Sequence, residues 1–229
     1  KTFAILDMIF DELVDLFPSS YIHIGGDECY KGFWAKCPDC RARMSSKQLQ
    51  NVEELQSYFV KRVASHIQSK GKHVIGWDEI LEGGLAKDAI VMSWRGMKGG
   101  VEAARQGHRV IMTPFGHCYL DLYQGDPAVE PNTYSMLRLR DCYKFSIVPD
   151  SIDASFVLGG QGNLWAESIP HYRQVEYMTW PRAMAISETL WNETDSRNWD
   201  FFIQRVESQF RYLDRLNVNY ARSIYDPII

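Results

Sequence analysis

Residues 73–79 read HVIGWDE, a short apolar run that ends in a tryptophan and two acids. Similar apolar runs occur at residues 21–24, 89–94, 109–112 and 156–160. Their apolar side chains stand at successive positions instead of alternating, which is typical of strands that are buried on both faces of a sheet. Because helical patterns lie between the runs, the sequence predicts an α/β fold whose parallel sheet is covered by helices.

The spacing of apolar side chains predicts the helices. Residues 2–16 repeat at helical intervals and are followed by Pro18. A second helix has Asn51 and Glu54 at capping-box spacing and ends before Gly71. Further helical patterns cover residues 101–106, 172–191 and 198–216, with Asp195 or Ser196 as the expected cap of the last.

Polar or aromatic side chains follow the predicted strands, as Trp77 and Trp94 do. Chemistry at the carboxyl ends of parallel strands is the arrangement of a (β/α)8, or TIM, barrel. A doubly wound sheet places ligands there too, but the sequence has no G-x-G-x-x-G and no phosphate-binding loop. We therefore predict a barrel-type fold in one domain, residues 1–229, with 113–155 as a long functional loop.

The charge balance limits the classes of partner. The 229 residues include 25 Lys and Arg and 29 Asp and Glu, a formal net charge of −4. A general nucleic-acid binder needs a basic face, so no nucleic acid is expected as a partner. No apolar run approaches the roughly 20 residues that cross a bilayer, so no membrane span is predicted. No targeting signal is seen in the residues that follow Lys1.

The five cysteines are Cys29, Cys37, Cys40, Cys118 and Cys142. Cys37 and Cys40 have C-x-x-C spacing, and Cys29 lies eight residues before them, which leaves zinc binding open as an alternative. A zinc site needs four ligands, and a second C-x-x-C or H-x-x-H pair is missing. We predict a structural loop staple or free thiols, and no metal.

Two acids, Asp27 and Glu28, follow a pair of glycines. Neighbouring side chains of a strand point to opposite faces, so both acids can serve one substrate only where the chain turns, which Gly25 and Gly26 permit. Nearby carboxylates perturb each other, so that one can stay protonated while the other is ionised. The pair at residues 78–79 has the same form, and a solvated acid pair remains the alternative, so spacing does not identify the catalytic pair.

Six of the seven tryptophans divide into two groups. Trp77, Trp94 and Trp165 stand at strand exits, where indole faces beside carboxylates are a composition typical of carbohydrate sites. The other group stands on helical segments, where filling of the core is the expected role. That group consists of Trp180, Trp191 and Trp199.

Several motifs occur in one order along the chain. They are HIGGDE at 23–28, GWDE at 76–79, MSWRG at 92–96, YLD at 119–121, GQGNLWAE at 160–167 and a helix motif from Pro181 to Trp191. This order resembles that of family 20 of the glycoside hydrolases, the β-N-acetylhexosaminidases. The resemblance covers nearly the whole chain.

The resemblance implies a retaining hydrolase that removes terminal non-reducing β-linked N-acetylhexosamine (GlcNAc or GalNAc) from glycans without a cofactor. The nucleophile would be the substrate's own 2-acetamido carbonyl, an exception to the two-carboxylate scheme. Glu28 would be the general acid and base, and Asp27 would hold the acetamido N–H and stabilise the oxazolinium intermediate.

The resemblance also implies roles for the other motif residues. Trp77, Trp94 and Trp165 would wall the pocket around the acetamido methyl group and the sugar face. Tyr119 would donate its hydroxyl to the acetamido oxygen. Asp121 and Glu167 would bind sugar hydroxyls, and His23 would support the turn before the acids.

The chain departs from the family pattern in two places. The first three strands of the family's barrel, which carry an arginine that binds a sugar hydroxyl, have no counterpart in this sequence. A further pocket tryptophan, expected between Tyr119 and Trp165, is also missing, since no tryptophan lies between residues 95 and 164. We therefore expect an incomplete barrel with strands 4 to 8, completed by an N-terminal part or by a second copy. A non-catalytic carbohydrate-binding remnant is the alternative function. Because family members often act on extracellular glycans, a periplasmic or secreted protein is expected.

Overall fold

The computed structural model describes residues 1–130, 132–222 and 224. The strands are β1 (Tyr21–His23), β2 (His73–Trp77), β3 (Ile90–Ser93), β4 (Val110–Met112) and β5 (Val157–Gly160). The first helices are α1 (Thr2–Leu16), α2 (Gly32–Lys36), α3 (Pro38–Ser46), α4 (Val52–Ser69) and α5 (Lys98–Arg105). They are followed by α6 (Phe115–Cys118), α7 (Leu139–Lys144), α8 (Tyr172–Thr179), α9 (Arg182–Trp191) and α10 (Trp199–Arg215). Short 3₁₀ turns cover Asp78–Leu81, Ala154–Phe156 and Thr194–Ser196.

The strands form one sheet in chain order, β1-β2-β3-β4-β5. β1 pairs with β2 and β2 with β3 in parallel, with Tyr21 opposite His73 and Trp77 opposite Met92. All four residues of β3 are buried, which explains why its sequence is apolar without alternation. The predicted α/β class with a parallel sheet is confirmed, while the count of strands in a barrel stays a prediction.

The helix boundaries follow local signals, with two corrections. Asn51 caps α4 by accepting a hydrogen bond from the Glu54 backbone N–H at 2.8 Å. The pattern at 172–191 is two helices, α8 and α9, because Pro181 lacks the N–H that would continue α8. Asn198 caps α10 through the Phe201 N–H at 3.1 Å. The cap predicted at Asp195 or Ser196 was wrong, since both residues belong to the 3₁₀ turn before the helix.

The chain divides into two compact units. The first comprises Lys1–Ile111 and Ser151–Leu158, and the second comprises Met112–Asp150 and the described residues from Gly159 onward. In the first, the buried core includes Ile67 of α4, Val74 of β2 and Ile90 of β3. No helix in the described part of the chain has the length and apolar character to cross a membrane.

The predicted loop at 113–155 contains secondary structure of its own. Helices α6 and α7 lie within it, and an isolated parallel bridge joins Tyr123 to Met136. One of the prolines that suggested a loop, Pro131, lies outside the described residues.

Candidate active site

The backbone turns at the end of β1, directly before the first acid pair. The Ile24 N–H donates to the Ile75 carbonyl at 2.9 Å, and the Trp77 N–H donates to the Gly25 carbonyl at 3.0 Å. Beyond this point Gly25 and Gly26 have φ values of 71° and 100°, and Glu28 has a φ of 47°. Non-glycine residues rarely adopt positive φ, and such strain tends to occur at functional sites. The turn required for two adjacent acids to face one substrate is therefore present.

His23, the last residue of β1, stabilises this turn. Its Nδ1 accepts a hydrogen bond from the Gly25 N–H at 3.0 Å, and its ring centroid lies 4.8 Å from that of Trp77. Desolvation lowers the pKa of the His23 ring, although the Asp27 carboxylate opposes this shift. A neutral imidazole with an acceptor Nδ1 suits the supporting role expected of this residue.

Gly26 is the position where the turn tolerates no side chain. A Cβ there would lie 2.7 Å from Ile80 Cγ2. We expect Gly26→Ala to lower the free energy of unfolding by about 3 kcal/mol, because an alanine must adopt positive φ and also displace Ile80. Urea denaturation measures this loss.

The matched control is Gly71→Ala. Gly71 has a φ of 76°, but nothing lies within 4 Å of its would-be Cβ, so only the backbone strain of about 1 kcal/mol is expected. Equal losses in the two variants would contradict the steric part of the argument.

The second acid pair, Asp78 and Glu79, is buried and hydrogen-bonded within the protein. Asp78 Oδ2 accepts from the backbone N–H groups of Trp94 at 3.2 Å and Arg95 at 3.3 Å, and Asp78 Oδ1 accepts from Arg95 Nε at 2.6 Å. Glu79 Oε2 accepts from the Trp94 indole Nε1 at 2.9 Å. These carboxylates hold Trp94 in place, while Asp27 and Glu28 are exposed. Because Asp78 and Glu79 are buried, Asp27 and Glu28 are the pair that is accessible to a ligand.

Glu79 makes the stability of the first unit depend on pH. Burial raises the pKa of Glu79, although its bond from Trp94 and the Arg95 charge oppose the shift. The native state therefore binds this proton more tightly than the unfolded chain does. The stabilisation is complete below the unfolded pKa of about 4.3 and is lost as pH rises through the higher folded pKa.

We expect Glu79→Gln to remove the loss of stability at higher pH. The glutamine carbonyl still accepts a hydrogen bond from Trp94, and glutamine cannot ionise. The difference in free energy of unfolding, variant minus wild type, should increase as the pH rises above the unfolded pKa of about 4.3. Urea denaturation at several pH values measures the difference. Glu102→Gln, at an exposed position of α5, controls for net charge. A wild-type minus variant difference that does not change with pH would contradict this expectation.

In the second unit, Tyr119 and Trp165 are brought together. A parallel bridge joins Tyr119 to Asn163, and the Leu120 N–H donates to the Asn163 carbonyl at 2.6 Å. The rings of Tyr119 and Trp165 meet edge to face at 6.1 Å. Burial raises the pKa of Tyr119, although hydrogen bonds from Trp165 and Asn163 oppose this. Tyr119 is thus a protonated phenol at neutral pH and able to donate, and Trp165, 40% exposed, presents an indole surface.

One carboxylate oxygen of Asp121 lacks a hydrogen-bond donor in the described part of the chain. Its Oδ1 is buried, and none of the described residues donates a hydrogen bond to it. Desolvation raises the pKa of Asp121 and the nearby Glu167 carboxylate adds to the shift, although the backbone N–H groups of Asp121 and Trp165 and the Arg182 charge oppose it. A buried carboxylate oxygen without a donor is costly, and a ligand hydroxyl would satisfy it. Glu167 is exposed.

Residues 1–194 match the model of the catalytic domain of glycosyl hydrolase family 20. The chain belongs to this family. All the predicted sugar-site residues, from Asp27 to Glu167, lie within the matched range.

Several known proteins are similar to this chain. The chain is 44% identical to a β-hexosaminidase of Porphyromonas gingivalis, covering 96% of this chain and 29% of that protein. It is 31% identical to the β-hexosaminidase of Vibrio furnissii, covering 81% and 32%. The crystal structure of an exo β-N-acetylglucosaminidase from Vibrio harveyi, in complex with N-acetylglucosamine, matches with a TM-score of 0.88 at 32% identity, covering 96% and 36%. The chain thus spans about a third of the length of these proteins.

Three further residues hold the family 20 motifs in place. Gln56 Nε2 donates to the Gly26 carbonyl at 2.8 Å, and Asn163 Nδ2 donates to Thr113 Oγ1 at 2.9 Å. Arg182, which the sequence placed only in a helix motif, is fully buried and binds backbone carbonyls around Asp121. The available signal for Gln56 was a long polar side chain among the mostly apolar buried residues of α4.

The helical tryptophans and the cysteines are not among the predicted sugar-site residues. Trp191 is 89% exposed at the end of α9, so its predicted core role was wrong. Trp180 and Trp199 are half-buried, and Trp199 packs against Tyr143 at 5.2 Å. The five cysteines are free thiols, and no group of three or more metal-ligating side chains occurs within residues 1–130, 132–222 and 224.

Proposed function

We propose that the protein hydrolyses terminal, non-reducing β-linked N-acetylhexosamine with retention of configuration, using the substrate's acetamido group as nucleophile. The observation that carries the proposal is the match to the family 20 catalytic domain, which spans all the predicted catalytic and sugar-binding residues. The β-hexosaminidase relatives and the N-acetylglucosamine bound to the Vibrio harveyi enzyme support this sugar class.

Glu28 has the chemical role of acid and then base. In the first step its carboxyl proton passes to the glycosidic oxygen, the C1–O bond breaks, and the acetamido carbonyl oxygen bonds to C1 to give an oxazolinium ion. In the second step the Glu28 carboxylate takes a proton from a water molecule whose oxygen attacks C1, and the bond from C1 to the acetamido oxygen breaks, which restores the acetamido group and the Glu28 carboxyl. The product keeps the β configuration because C1 is inverted twice.

Asp27, together with Tyr119, Asp121 and Glu167, binds the sugar. The Asp27 carboxylate accepts from the acetamido N–H and stabilises the positive charge of the oxazolinium ring. The Tyr119 hydroxyl donates to the acetamido oxygen, and Asp121 and Glu167 accept from sugar hydroxyls. The donor-deficient Oδ1 of Asp121 supports its part of this assignment.

We propose that β1 to β5 are strands 4 to 8 of an eight-stranded barrel, completed by other parts of a longer polypeptide or by a second copy. The span of about a third of the relatives' length supports this proposal. A periplasmic or extracellular location, where such glycans occur, is part of the same proposal.

A pair of substrates tests the mechanism. The 4-nitrophenyl glycoside of β-N-acetylglucosamine should be cleaved, while the β-glucoside, which has a hydroxyl in place of the acetamido group, should not. NMR of the first product should show the β anomer. Equal cleavage of both substrates, or an α product, would overturn the acetamido mechanism. Binding of N-acetylglucosamine without turnover of either would instead support the carbohydrate-binding alternative.

Asp27→Asn tests the electrostatic role separately. We expect kcat to fall about 10²-fold, because a neutral amide no longer stabilises the oxazolinium charge. Inhibition by a thiazoline analogue of the intermediate should weaken in parallel. Asp88→Asn is the matched control, since Asp88 is exposed and asparagine tolerates its φ of 56°. Unchanged thiazoline inhibition in Asp27→Asn would contradict the role.

A further inference from the structure

The C-x-x-C motif at residues 37–40 occupies the start of a helix. Cys37 is the N-cap of α3, and Cys40 is the third residue of that helix. The Arg41 N–H donates to the Cys37 carbonyl at 3.0 Å, which fixes the first turn, and Pro38 begins the helix. Both cysteines are half-exposed. A dissolved reagent can therefore reach both thiols.

The two thiols differ in their surroundings and in the direction of their pKa shifts. As the N-cap residue, Cys37 precedes the backbone N–H groups of Asp39 and Cys40 by two and three residues, and its side chain makes no capping hydrogen bond. These N–H groups and the Cys40 thiol lower the pKa of Cys37, against the opposing charge of Asp39. Desolvation and the neighbouring Cys37 raise the pKa of Cys40. Cys37 is therefore the thiol that ionises first, and the Cys40 thiol interacts with it directly.

The remaining cysteines do not share this environment. Cys118 and Cys142 are buried, and desolvation raises the pKa of Cys142 to about 12. Cys29 does not join the pair in a metal-binding group, since the described residues contain no cluster of three or more potential ligands. What the pair at 37–40 offers is the chemistry of two vicinal thiols.

We propose that Cys37 and Cys40 form a thiol–disulfide exchange site that reacts with small-molecule disulfides. The Cys37 thiolate attacks one sulfur of the disulfide RSSR, forms a mixed disulfide and releases RS⁻. The Cys40 sulfur, on losing its proton to solvent, attacks Cys37 Sγ and releases the second RS⁻. Two protein thiols are oxidised to one Cys37–Cys40 disulfide while RSSR is reduced to two RSH, and a dithiol reverses the reaction.

Treatment of the protein with glutathione disulfide under native conditions tests the site. Mass spectrometry of alkylated peptides should show one internal disulfide, Cys37–Cys40, that dithiothreitol reverses. Cys40→Ser should stop at the mixed disulfide with glutathione on Cys37. Cys37→Ser should lose the reaction and should fold, because serine is a favoured N-cap. Cys29→Ser is the matched control and should behave as the wild type.

Alkylation kinetics give the second readout. Iodoacetamide should modify Cys37 about five to ten times faster than Cys40 at pH 7, because more of Cys37 is thiolate. Circular dichroism of each variant checks the fold independently of the thiol chemistry. Equal rates at the two cysteines, a glutathione adduct on Cys40 in place of Cys37, or no Cys37–Cys40 disulfide in a folded wild type would each overturn the proposal.

Discussion

Replacing Glu28 by Gln is expected to lower kcat/KM by about 10³-fold for a β-N-acetylglucosaminide whose leaving group is an ordinary alcohol. The variant cannot donate a proton to the glycosidic oxygen, and it cannot take one from water in the second step. The substitution is nearly isosteric at an exposed position, so the fold should be unaffected. Initial rates over a range of substrate concentrations give kcat/KM directly.

The leaving group separates loss of the acid from a general loss of activity. A nitrophenolate leaves without protonation, so the loss in kcat/KM should be smaller for a nitrophenyl glycoside and should grow with the pKa of the leaving alcohol or phenol. Glu102→Gln removes the same charge from an exposed position of α5 and should keep full activity. An equal loss for all leaving groups would contradict the acid role of Glu28, and near-normal turnover would exclude the residue from catalysis.

The sheet was predictable because its signals are local. Unbroken apolar runs predicted β2 and β3, whose residues are mostly or wholly buried. Pro18 and Asn51 marked helix boundaries through backbone chemistry that does not depend on distant contacts. The cap of α10 was missed because several residues of the 195–198 stretch can serve as caps, and only the backbone conformation selects Asn198.

The site was less predictable because burial is a tertiary property. Two acid pairs follow two strands with similar local sequence, and spacing treats them alike. The structure separates them, since Asp78 is 1% exposed and bonded to the backbone at Trp94, while Asp27 and Glu28 are exposed. The same limit applies to Trp191, whose helical spacing gave no sign that the side chain is 89% exposed.

Loss of Arg182 should strongly destabilise the second unit. Its guanidinium is fully buried and donates to the carbonyls of Leu122 at 2.9 Å and Met178 at 2.8 Å. It also donates to the carbonyls of Leu137 and Leu120. Desolvation lowers the pKa of Arg182 to about 10, so the side chain stays charged at neutral pH.

Arg182→Met should lower the free energy of unfolding by about 3–5 kcal/mol. Methionine recovers packing and removes the cost of burying a charge, but it leaves several core carbonyls without their donor. Thermal and urea denaturation measure the loss, and Arg211→Met on an exposed position of α10 is the matched control. A loss below about 1 kcal/mol would mean that water or neighbouring donors replace the guanidinium.

The same substitution tests how the proposed sugar site depends on its support. The carbonyls of Leu120 and Leu122 flank Asp121, so the bonds from Arg182 hold the segment that carries Tyr119 and Asp121. Under conditions where Arg182→Met remains folded, KM for an N-acetylglucosaminide should rise, because these side chains are no longer held for substrate. Arg182→Lys can bond some of the same carbonyls and should recover part of both stability and KM. A stable, folded Arg182→Met with unchanged KM would show that the segment is held by its bridge to Asn163 instead.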